Sequence, residues 1–240
     1  MPLPPTVRAI GFPQDRIQKL AARHGLDIQS EGTPPSTTSN AIALLGKVSN
    51  ETLNAAMDSH VGVLYEVSED EDDGLSRWLK TTHSTSNSLS ISLTTASAYK
   101  IDLTEIFCTA LSNRMERSET NWSDLELAVQ EALSNAVLHG NLEVDGFLRA
   151  SIEEFAVYSQ TIIARLADPA FAMRRIELEA RWTDDEILIS IHDQGPGYKE
   201  PPMLENSKNN RGLELIGQLS KSVEILDNGR HINMRFSRNP

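Results

Sequence analysis

The chain has 240 residues and a formal net charge of −12, with 39% hydrophobic and 23% charged residues. This length suits one large domain or two small ones, and the hydrophobic fraction is enough for a packed core. A chain this acidic has no general attraction for DNA, RNA or anionic lipid, which argues against nucleic acid as a direct partner.

The cysteine content and the apolar runs bear on the cell compartment. Cys108 is the only cysteine, so the chain can form no intramolecular disulfide and no cysteine-based metal site. This cysteine usage fits a reducing cytosol. The N-terminal residues lack a charged-then-apolar signal region, and no apolar run approaches the ~18–20 residues of a membrane span. We therefore expect a cytoplasmic protein with no membrane association.

Composition predicts a small α/β region at 1–68, a linker at 69–87 and a larger domain at 88–240. The linker prediction depends on the acidic run Glu69–Asp73 and on residues 81–97, which hold 11 Ser or Thr among 17 positions. A solvated loop inside a single domain is the alternative.

The first region alternates predicted strands and helices, which is the pattern of a small α/β unit. The predicted strands are Val7–Phe12, Ala41–Leu45 and Val61–Val67, and the predicted helices are Pro13–His24 and Glu51–His60. The region faintly resembles part of a receiver domain. Such a domain would be degenerate, because no predicted strand ends in an aspartate placed like the receiver phosphoacceptor.

Beyond the predicted linker, Leu89–Leu93 alternates with period two and predicts a half-buried strand, which a helix at Ile101–Arg117 follows. A second helix is predicted at Asp124–His139. Its predicted N-terminus is a capping box of Ser123 and Glu126, with Trp122 and Leu127 as a hydrophobic staple, and its predicted terminator is Gly140. Residues 142–175 form a helical-looking insertion.

Glu131, Asn135 and His139 are spaced i, i+4 and i+8 along this helix. Successive members differ by only ~40° around the helix axis, so they form one polar line. A carboxylate can orient or deprotonate an attacking hydroxyl, and an amide oxygen is a hard ligand for Mg²⁺. Taken alone, the line also fits a solvated helix face.

A second pattern follows the predicted strand Ile187–His192. The next residues are Asp193-Gln194-Gly195-Pro196-Gly197. An aspartate at a strand end can accept a hydrogen bond from an exocyclic amine such as adenine N6, and a glycine two residues later lets a flat base approach the backbone. An ordinary turn has the same composition.

A third pattern is Asn210-Arg211-Gly212-Leu213, where a polar segment at 198–211 runs into a predicted helix. Free amides and the positive end of the helix dipole suit phosphate, and Arg211 adds a planar cationic group. A surface arginine at an ordinary helix start is the alternative. The chain then predicts two strands, Ser222–Leu226 and Ile232–Phe236, joined by an Asn-Gly hairpin turn.

The order of these patterns resembles the nucleotide-binding fold of the gyrase, heat-shock chaperone, histidine kinase and MutL (GHKL) ATPase superfamily, over about residues 88–240. Within it, Glu131–Asn141, Asp193–Gly197 and Arg211–Ile216 are similar to the N box, the adenine-binding box and the second glycine box of bacterial anti-sigma-factor serine kinases. The resemblance implies an α/β sandwich whose mixed sheet has helices on one face.

The resemblance also implies ATP and Mg²⁺ as cofactors and a role for each motif residue. Asn135 binds Mg²⁺, Glu131 acts as general base or positions the attacking group, and Asp193 accepts from adenine N6. The other implied nucleotide-binding residues are His139, Gly195, Gly197, Asn210, Arg211, Gly212 and Leu213. The family commonly has glycine in place of Asn210, and often a threonine where Arg230 stands.

The resemblance further implies a regulatory serine/threonine kinase that is a homodimer and acts on a small anti-sigma antagonist protein. The resemblance leaves open that it also sequesters a sigma factor or another regulator. A binding module that uses ATP as a structural ligand remains open. A sensor histidine kinase is disfavoured because His83 lacks an acidic neighbour. A large GHKL enzyme such as a topoisomerase is disfavoured because 240 residues leave no room for its further domains.

Overall fold

The computed structural model describes residues 6–28, 42–58, 61–68, 72–81, 87–115, 118–144, 151–197 and 211–239. The chain divides into two compact units, residues Met1–Ser92 and Leu93–Pro240. Part of the acidic run at Glu69, Asp70 and Glu71, His83 and the segment 198–210 lie outside the described residues.

The first unit alternates strands and helices, as predicted. Its elements are β1 (Thr6–Ile10), α1 (Gln14–His24), β2 (Asp27–Ile28), β3 (Ile42–Leu45), α2 (Asn50–Asp58), β4 (Val63–Glu66), α3 (Asp72–Thr81) and β5 (Ser88–Thr94), the last of which crosses the division. The strands pair in parallel in the order β2-β1-β3-β4-β5. This is the doubly wound order of flavodoxin-like folds. The receiver likeness stays a prediction.

Helix α3 corrects the predicted linker at 69–87. Leu75 and Trp78 of this helix are 0% and 6% exposed, and they belong to the apolar cluster that lines one face of the parallel sheet. The Trp78 ring lies 5.1 Å from the ring of Tyr65 on β4. Apolar residues at i and i+3 supply a helical stripe that the acidic and Ser/Thr-rich flanks concealed.

Strand β5 is buried on both faces and not on one. All seven positions of Ser88–Thr94 are buried, including the serines at 88, 90 and 92. The alternation of serine with leucine and isoleucine therefore does not distinguish a solvent-exposed face of β5 from a buried one. Small hydroxyl side chains can be buried when they are hydrogen-bonded, and each of these serines has such an interaction or another polar contact.

The second unit is built from helices and an antiparallel sheet. Its helices are α4 (Thr95–Lys100), α5 (Leu103–Arg114), α6 (Trp122–Ser134), α7 (Ile152–Ala167), α8 (Pro169–Ala172) and α9 (Arg211–Leu219), and its strands are β6 (Arg175–Trp182), β7 (Glu186–His192), β8 (Ser222–Leu226) and β9 (His231–Ser237). The strand order is β6-β7-β9-β8. No helix among the described residues is long and apolar enough to cross a bilayer.

One face of this sheet is covered and the other is open. Ile187, Ile189 and Ile191 of β7 are at most 1% exposed, whereas the alternate positions are partly exposed. Helix α6 packs against β7 and also against α5 and α9. With parallel pairs in the first unit and antiparallel pairs in the second, the predicted mixed α/β architecture with helices on one face is confirmed.

Both predicted ends of the helix at Asp124–His139 are wrong. Asn121 is the N-cap, because its side chain accepts from the Asp124 amide. Trp122 is consequently the first helical residue, and Leu127 is 44% exposed, so they form no staple. At the other end, the helix widens into a π-helical turn at Asn135–Asn141 that continues through Gly140.

The neighbouring predictions need smaller corrections. The predicted helix at Ile101–Arg117 is α5, which begins after the N-cap Asp102 and ends at Arg114, and the separate short helix α4 precedes it. Among the described residues of the insertion at 142–175, α7 and α8 are helical as predicted, but Phe155 and Ile163 are exposed and Ile162 is buried. The hairpin between β8 and β9 forms as predicted.

We predict that Leu75→Ala destabilises the protein by about 2–5 kcal/mol, because it leaves a cavity in the core of the first unit. Urea unfolding followed by circular dichroism measures the change. The matched control is Gln18→Ala on the exposed side of α1, which we expect to change stability by less than about 0.5 kcal/mol. Equal midpoints for Leu75→Ala and the wild type would show that α3 does not pack on this core.

Candidate functional site

The start of α9 lies directly against the polar line of α6. A Cβ added to Gly212 would meet the Oε1 atom of Glu131 and would lie 3.2 Å from Nδ2 of Asn135. Two motifs that are about 80 residues apart in sequence therefore share one site. Only glycine fits at position 212 without displacing the Glu131 carboxylate.

Glu131 and Asn135 lie one turn apart and are both half-buried. The Asn135 side-chain amide donates to Oε1 of Glu131 over 3.4 Å. With its nitrogen turned to Glu131, Asn135 keeps its amide oxygen as a ligand for a hard cation. No cluster of three or more His, Cys, Asp or Glu in the described residues could hold a metal ion. A single amide oxygen is a hard ligand of the kind that suits Mg²⁺, which is commonly held by few protein ligands together with substrate phosphates.

His139 is exposed and lies in the π-helical turn. Its Nδ1 atom lies 2.6 Å from the carbonyl oxygen of Val144. That bond fixes the ring to the chain that follows the turn. The structure shows no contact that brings His139 to Glu131 or to Asn135, so the predicted polar line of three is reduced to a pair.

Asp193 follows β7 and is the most buried carboxylate of the site, with 6% of the residue exposed. Its Oδ1 atom accepts a hydrogen bond from the Gly195 amide over 2.8 Å, and its own amide donates to the Arg230 carbonyl over 2.9 Å. The Arg230 backbone thus holds Asp193 from the hairpin. An acceptor with one oxygen engaged and little solvent around it is suited to bind an amine donor.

The Asp193 carboxylate lies against the backbone of the π-helical turn at Gly140. A Cβ added to Gly140 would stand 2.6 Å from Cγ of Asp193, and one added to Gly195 would collide with the Gly140 carbonyl. Any other residue at either position would push the carboxylate or the turn away. Gly140 thus provides room for Asp193, a role that the prediction of a helix terminator missed.

Burial raises the pKa of Asp193 to about 6, from an ordinary value of 3.8. The hydrogen bond from Gly195 and the positive charges of His192, Arg230 and Arg174 oppose this rise and do not cancel it. The charged form of this carboxyl is therefore costly in the folded protein. Perturbed groups of this kind cluster at functional sites.

Gly197 is the second glycine of the Asp193 motif and has a φ of +75°. A Cβ there would collide with the Asn228 carbonyl of the β8–β9 hairpin. The left-handed backbone and the lack of space both require glycine. The turn after Asp193 is thus held between the π-helical turn and the hairpin.

The remaining predicted residues lie at the start of α9. Arg211 is the exposed first residue of the helix, and Leu213 is 8% exposed. Leu213 therefore anchors the helix through packing, and Arg211 faces solvent. Asn210 lies outside the described residues.

Sequence reasoning missed Asn141, which the structure places at the centre of this region. Asn141 is fully buried, and its side-chain oxygen accepts from the Gln194 amide over 2.7 Å. The Gln194 side chain in turn accepts from the Arg175 amide over 2.8 Å. The sequence signal for this role was an asparagine directly after the predicted helix terminator. If such an asparagine is buried, it needs hydrogen-bond partners, because burying an unpaired polar side chain costs free energy.

A cavity of about 250 Å³ lies between α4, α5, α6 and the start of the π-helical turn. Its lining includes Tyr99, Asp102, Gln130 and Ser134, and none of the predicted site residues. The candidate site is therefore the region where the three motifs come into close contact, and not this cavity.

We predict that Asp193→Asn stabilises the protein by about 1–3 kcal/mol near pH 7.5. The folded pKa of about 6 exceeds the ordinary 3.8, so wild-type stability falls as pH rises through that window. An amide is uncharged and can still accept from Gly195. The advantage of the variant in urea unfolding should disappear below about pH 4. If the difference in stability between Asp193→Asn and the wild type is the same at pH 7.5 as at pH 4, the raised pKa of Asp193 is contradicted.

Comparison with known proteins agrees with this geometry. No curated protein matches the chain at a level that indicates a relationship. The family model described as a histidine kinase-like ATPase domain matches residues 101–236, which is more than half of the chain and includes all three motifs. The chain therefore belongs to the histidine kinase-like ATPase domain family.

Proposed function

We propose that this ATP-binding regulatory protein is a serine/threonine kinase of the anti-sigma-factor type, which phosphorylates a small antagonist protein in a partner-switching pathway. Family membership supports the ATP-binding regulatory role. The observation that supports the kinase is the contact of Glu131 and Asn135 with the start of α9 at Gly212. That contact brings a carboxylate, an amide oxygen and a helix N-terminus to one place.

These groups match the requirements of phosphoryl transfer, which depends on positioning and on neutralisation of charge. The amides at the start of α9 and the Arg211 guanidinium bind phosphate oxygens. Asn135 would hold Mg²⁺, which would supply neutralisation of charge. Glu131 accepts the proton of the serine or threonine hydroxyl, or orients that hydroxyl for attack.

Asp193 supplies the base specificity in this proposal. The carboxylate is buried, one of its oxygens is engaged by Gly195, and Gly140 and Gly195 let it lie against the π-helical turn. Adenine N6 donates to the carboxylate. Guanine presents a carbonyl oxygen at the same position, so an acceptor would face an acceptor.

The alternative is a binding module that uses ATP only as a structural ligand or as a marker of state. The position of Glu131 at the start of α9 favours the kinase, because a carboxylate there can address an attacking hydroxyl and offers no positive charge to a phosphate. Either function requires a protein partner, and candidate antagonists encoded beside its gene are the first to test.

We predict that the protein binds ATP or ADP with Mg²⁺ more tightly than GTP, as measured by calorimetry. Asp193→Asn should weaken ATP binding by about 1–3 kcal/mol, because a charged hydrogen-bond acceptor is lost. Wild-type affinity should also fall as pH drops below about 6, where Asp193 gains a proton. Asp184→Asn, at a fully exposed carboxylate, is the matched control and should leave binding unchanged. A preference for GTP would contradict the assignment of Asp193.

We predict that Glu131→Ala and Asn135→Ala separate catalysis from binding. Asn135→Ala should lose both tight ATP binding and phosphoryl transfer, because the metal ligand is removed. Glu131→Ala should retain nucleotide affinity and reduce transfer about 10²–10⁴-fold, the usual contribution of general acid–base catalysis. The measurement is transfer from labelled ATP to a candidate antagonist, run beside calorimetry.

The matched control for this experiment is Glu126→Ala, which removes an exposed carboxylate from the same helix. It should change neither transfer nor affinity. If the wild type and Glu131→Ala give equal, background-level transfer to an antagonist that binds well, the kinase proposal fails and the binding module remains.

A further inference from the structure

Asn141 joins three separate backbone segments of the second unit. Its side-chain nitrogen donates to Oγ1 of Thr95 over 2.8 Å and to the Arg175 carbonyl over 2.9 Å, and its side-chain oxygen accepts from the Gln194 amide over 2.7 Å. The residue is 0% exposed. Three good hydrogen bonds to a fully buried amide define its position closely, because an amide displaced from its partners would remain buried and unsatisfied.

These bonds fix the residue that follows Asp193. The Gln194 amide is held by Asn141, and the Gln194 side chain accepts from the Arg175 amide. Asp193 is therefore held on one side by the Arg230 carbonyl and on the other through Gln194. The direction of its carboxylate depends on this short segment, which cannot move without breaking the bonds to Asn141.

The insertion at 142–175 supports Asn141 from outside the site. Nη1 of Arg174 donates to the Asn141 carbonyl and to Oε1 of Glu143, each over 2.7 Å. The guanidinium carbon of Arg174 lies 4.8 Å from the centre of the Phe171 ring, and that of Arg165 lies 4.0 Å from the same centre. The stacking and the ion pair restrict the Arg174 side chain, so the bond to Asn141 is preorganised.

The geometry points to Asn141 as a positioning and specificity-determining residue that holds the Asp193 turn for recognition of the adenine amine, with Arg174 of the insertion keeping it in place. The inference deepens the proposed function and rests on it. Asn141 is fully buried, and its side chain bonds to three protein groups. It acts through Gln194 on the direction of the Asp193 carboxylate, and so on the discrimination between a base that carries the exocyclic amine and one that lacks it.

The test compares the affinity for ATP with the affinity for purine riboside triphosphate, which differs by the absence of the exocyclic amine. The wild type should prefer ATP, since a site with a buried acceptor rejects an analogue that lacks the donor. Asn141→Ala should reduce that preference at least about tenfold, mainly through weaker ATP binding. Gln194→Ala should reduce it in the same direction, and this second variant alters an exposed side chain that is less important for folding.

A double-mutant cycle separates positioning from general loss of structure. In an Asp193→Asn background, Asn141→Ala should change ATP affinity less than about threefold, because the acceptor on which it acts is already lost. The matched control is Asn233→Ala, at a half-buried asparagine of the same unit that accepts from Ser190. This control should leave the preference for ATP unchanged, whatever its effect on stability. An unchanged preference in both Asn141→Ala and Gln194→Ala would overturn the inference and leave the proposed function intact.

A measurement without nucleotide distinguishes failure of the inference from failure of the proposed function. Carbon-13 NMR titration of the Asp193 carboxyl should give a pKa lower than the wild-type value of about 6 in Asn141→Ala and in Gln194→Ala, because a loosened turn admits water. His192, Arg230 and Arg174, whose charges act on this carboxyl, are unaltered in both variants. If the wild type binds no adenine nucleotide, the proposed function fails. An unchanged titration in both variants would also refute the positioning role.

Discussion

The second unit depends on a close approach between a buried carboxylate and the end of a helix. Asp193 can lie against the π-helical turn only because Gly140 and Gly195 carry no side chain. Neither glycine is needed for a left-handed backbone, since both have negative φ or extended values and only Gly197 of this segment has a positive φ. The constraint at these two positions is space, and it requires the helix, the strand end and the hairpin to meet within van der Waals distance.

The π-helical turn contributes to that meeting. A regular α-helix from Trp122 would keep a constant 3.6-residue period, whereas the wider turn at Asn135–Asn141 shifts the later residues around the axis. Gly140 and Asn141 thereby face Asp193 and Gln194, while His139 bonds back to Val144. Such turns recur at functional sites, and here the turn connects Asn135 to the residues that face the Asp193 segment.

The site also illustrates the conflict between stability and function. Burial makes the charged form of Asp193 unfavourable in the folded protein, and the raised pKa of this carboxyl corresponds to a loss of stability when it is charged. The nearby positive charges reduce the cost without removing it, so the carboxylate keeps a capacity to bind a donor. Strong neutralisation by a direct ion pair would stabilise the fold and would also occupy the acceptor. The insertion places Arg174 close enough to act electrostatically while its hydrogen bonds go to Asn141 and Glu143.

Local signals in the sequence were sufficient for the motifs and for most of the elements. Local patterns identified most strands and helices of both units but not β2, β6, α3 or α4, and the Asn-Gly pair identified the β8–β9 hairpin, because a tight turn depends on the chain within a few residues. The order of the three motifs then identified the domain type, which the family match confirms. Sequence could not show that Asp72–Thr81 is helical, since its burial depends on the distant cluster around Tyr65.

The tertiary structure alone decided how the motifs meet. The contact of Gly212 with Glu131, the space that Gly140 gives to Asp193, and the three bonds of Asn141 join residues about 34 to 81 positions apart. Local patterns do not encode such distances, because a glycine has the same appearance in a sequence whether it ends a helix or admits a carboxylate. The sequence by itself therefore determined which chemical groups this domain possesses, and packing between distant segments determined which of them act together.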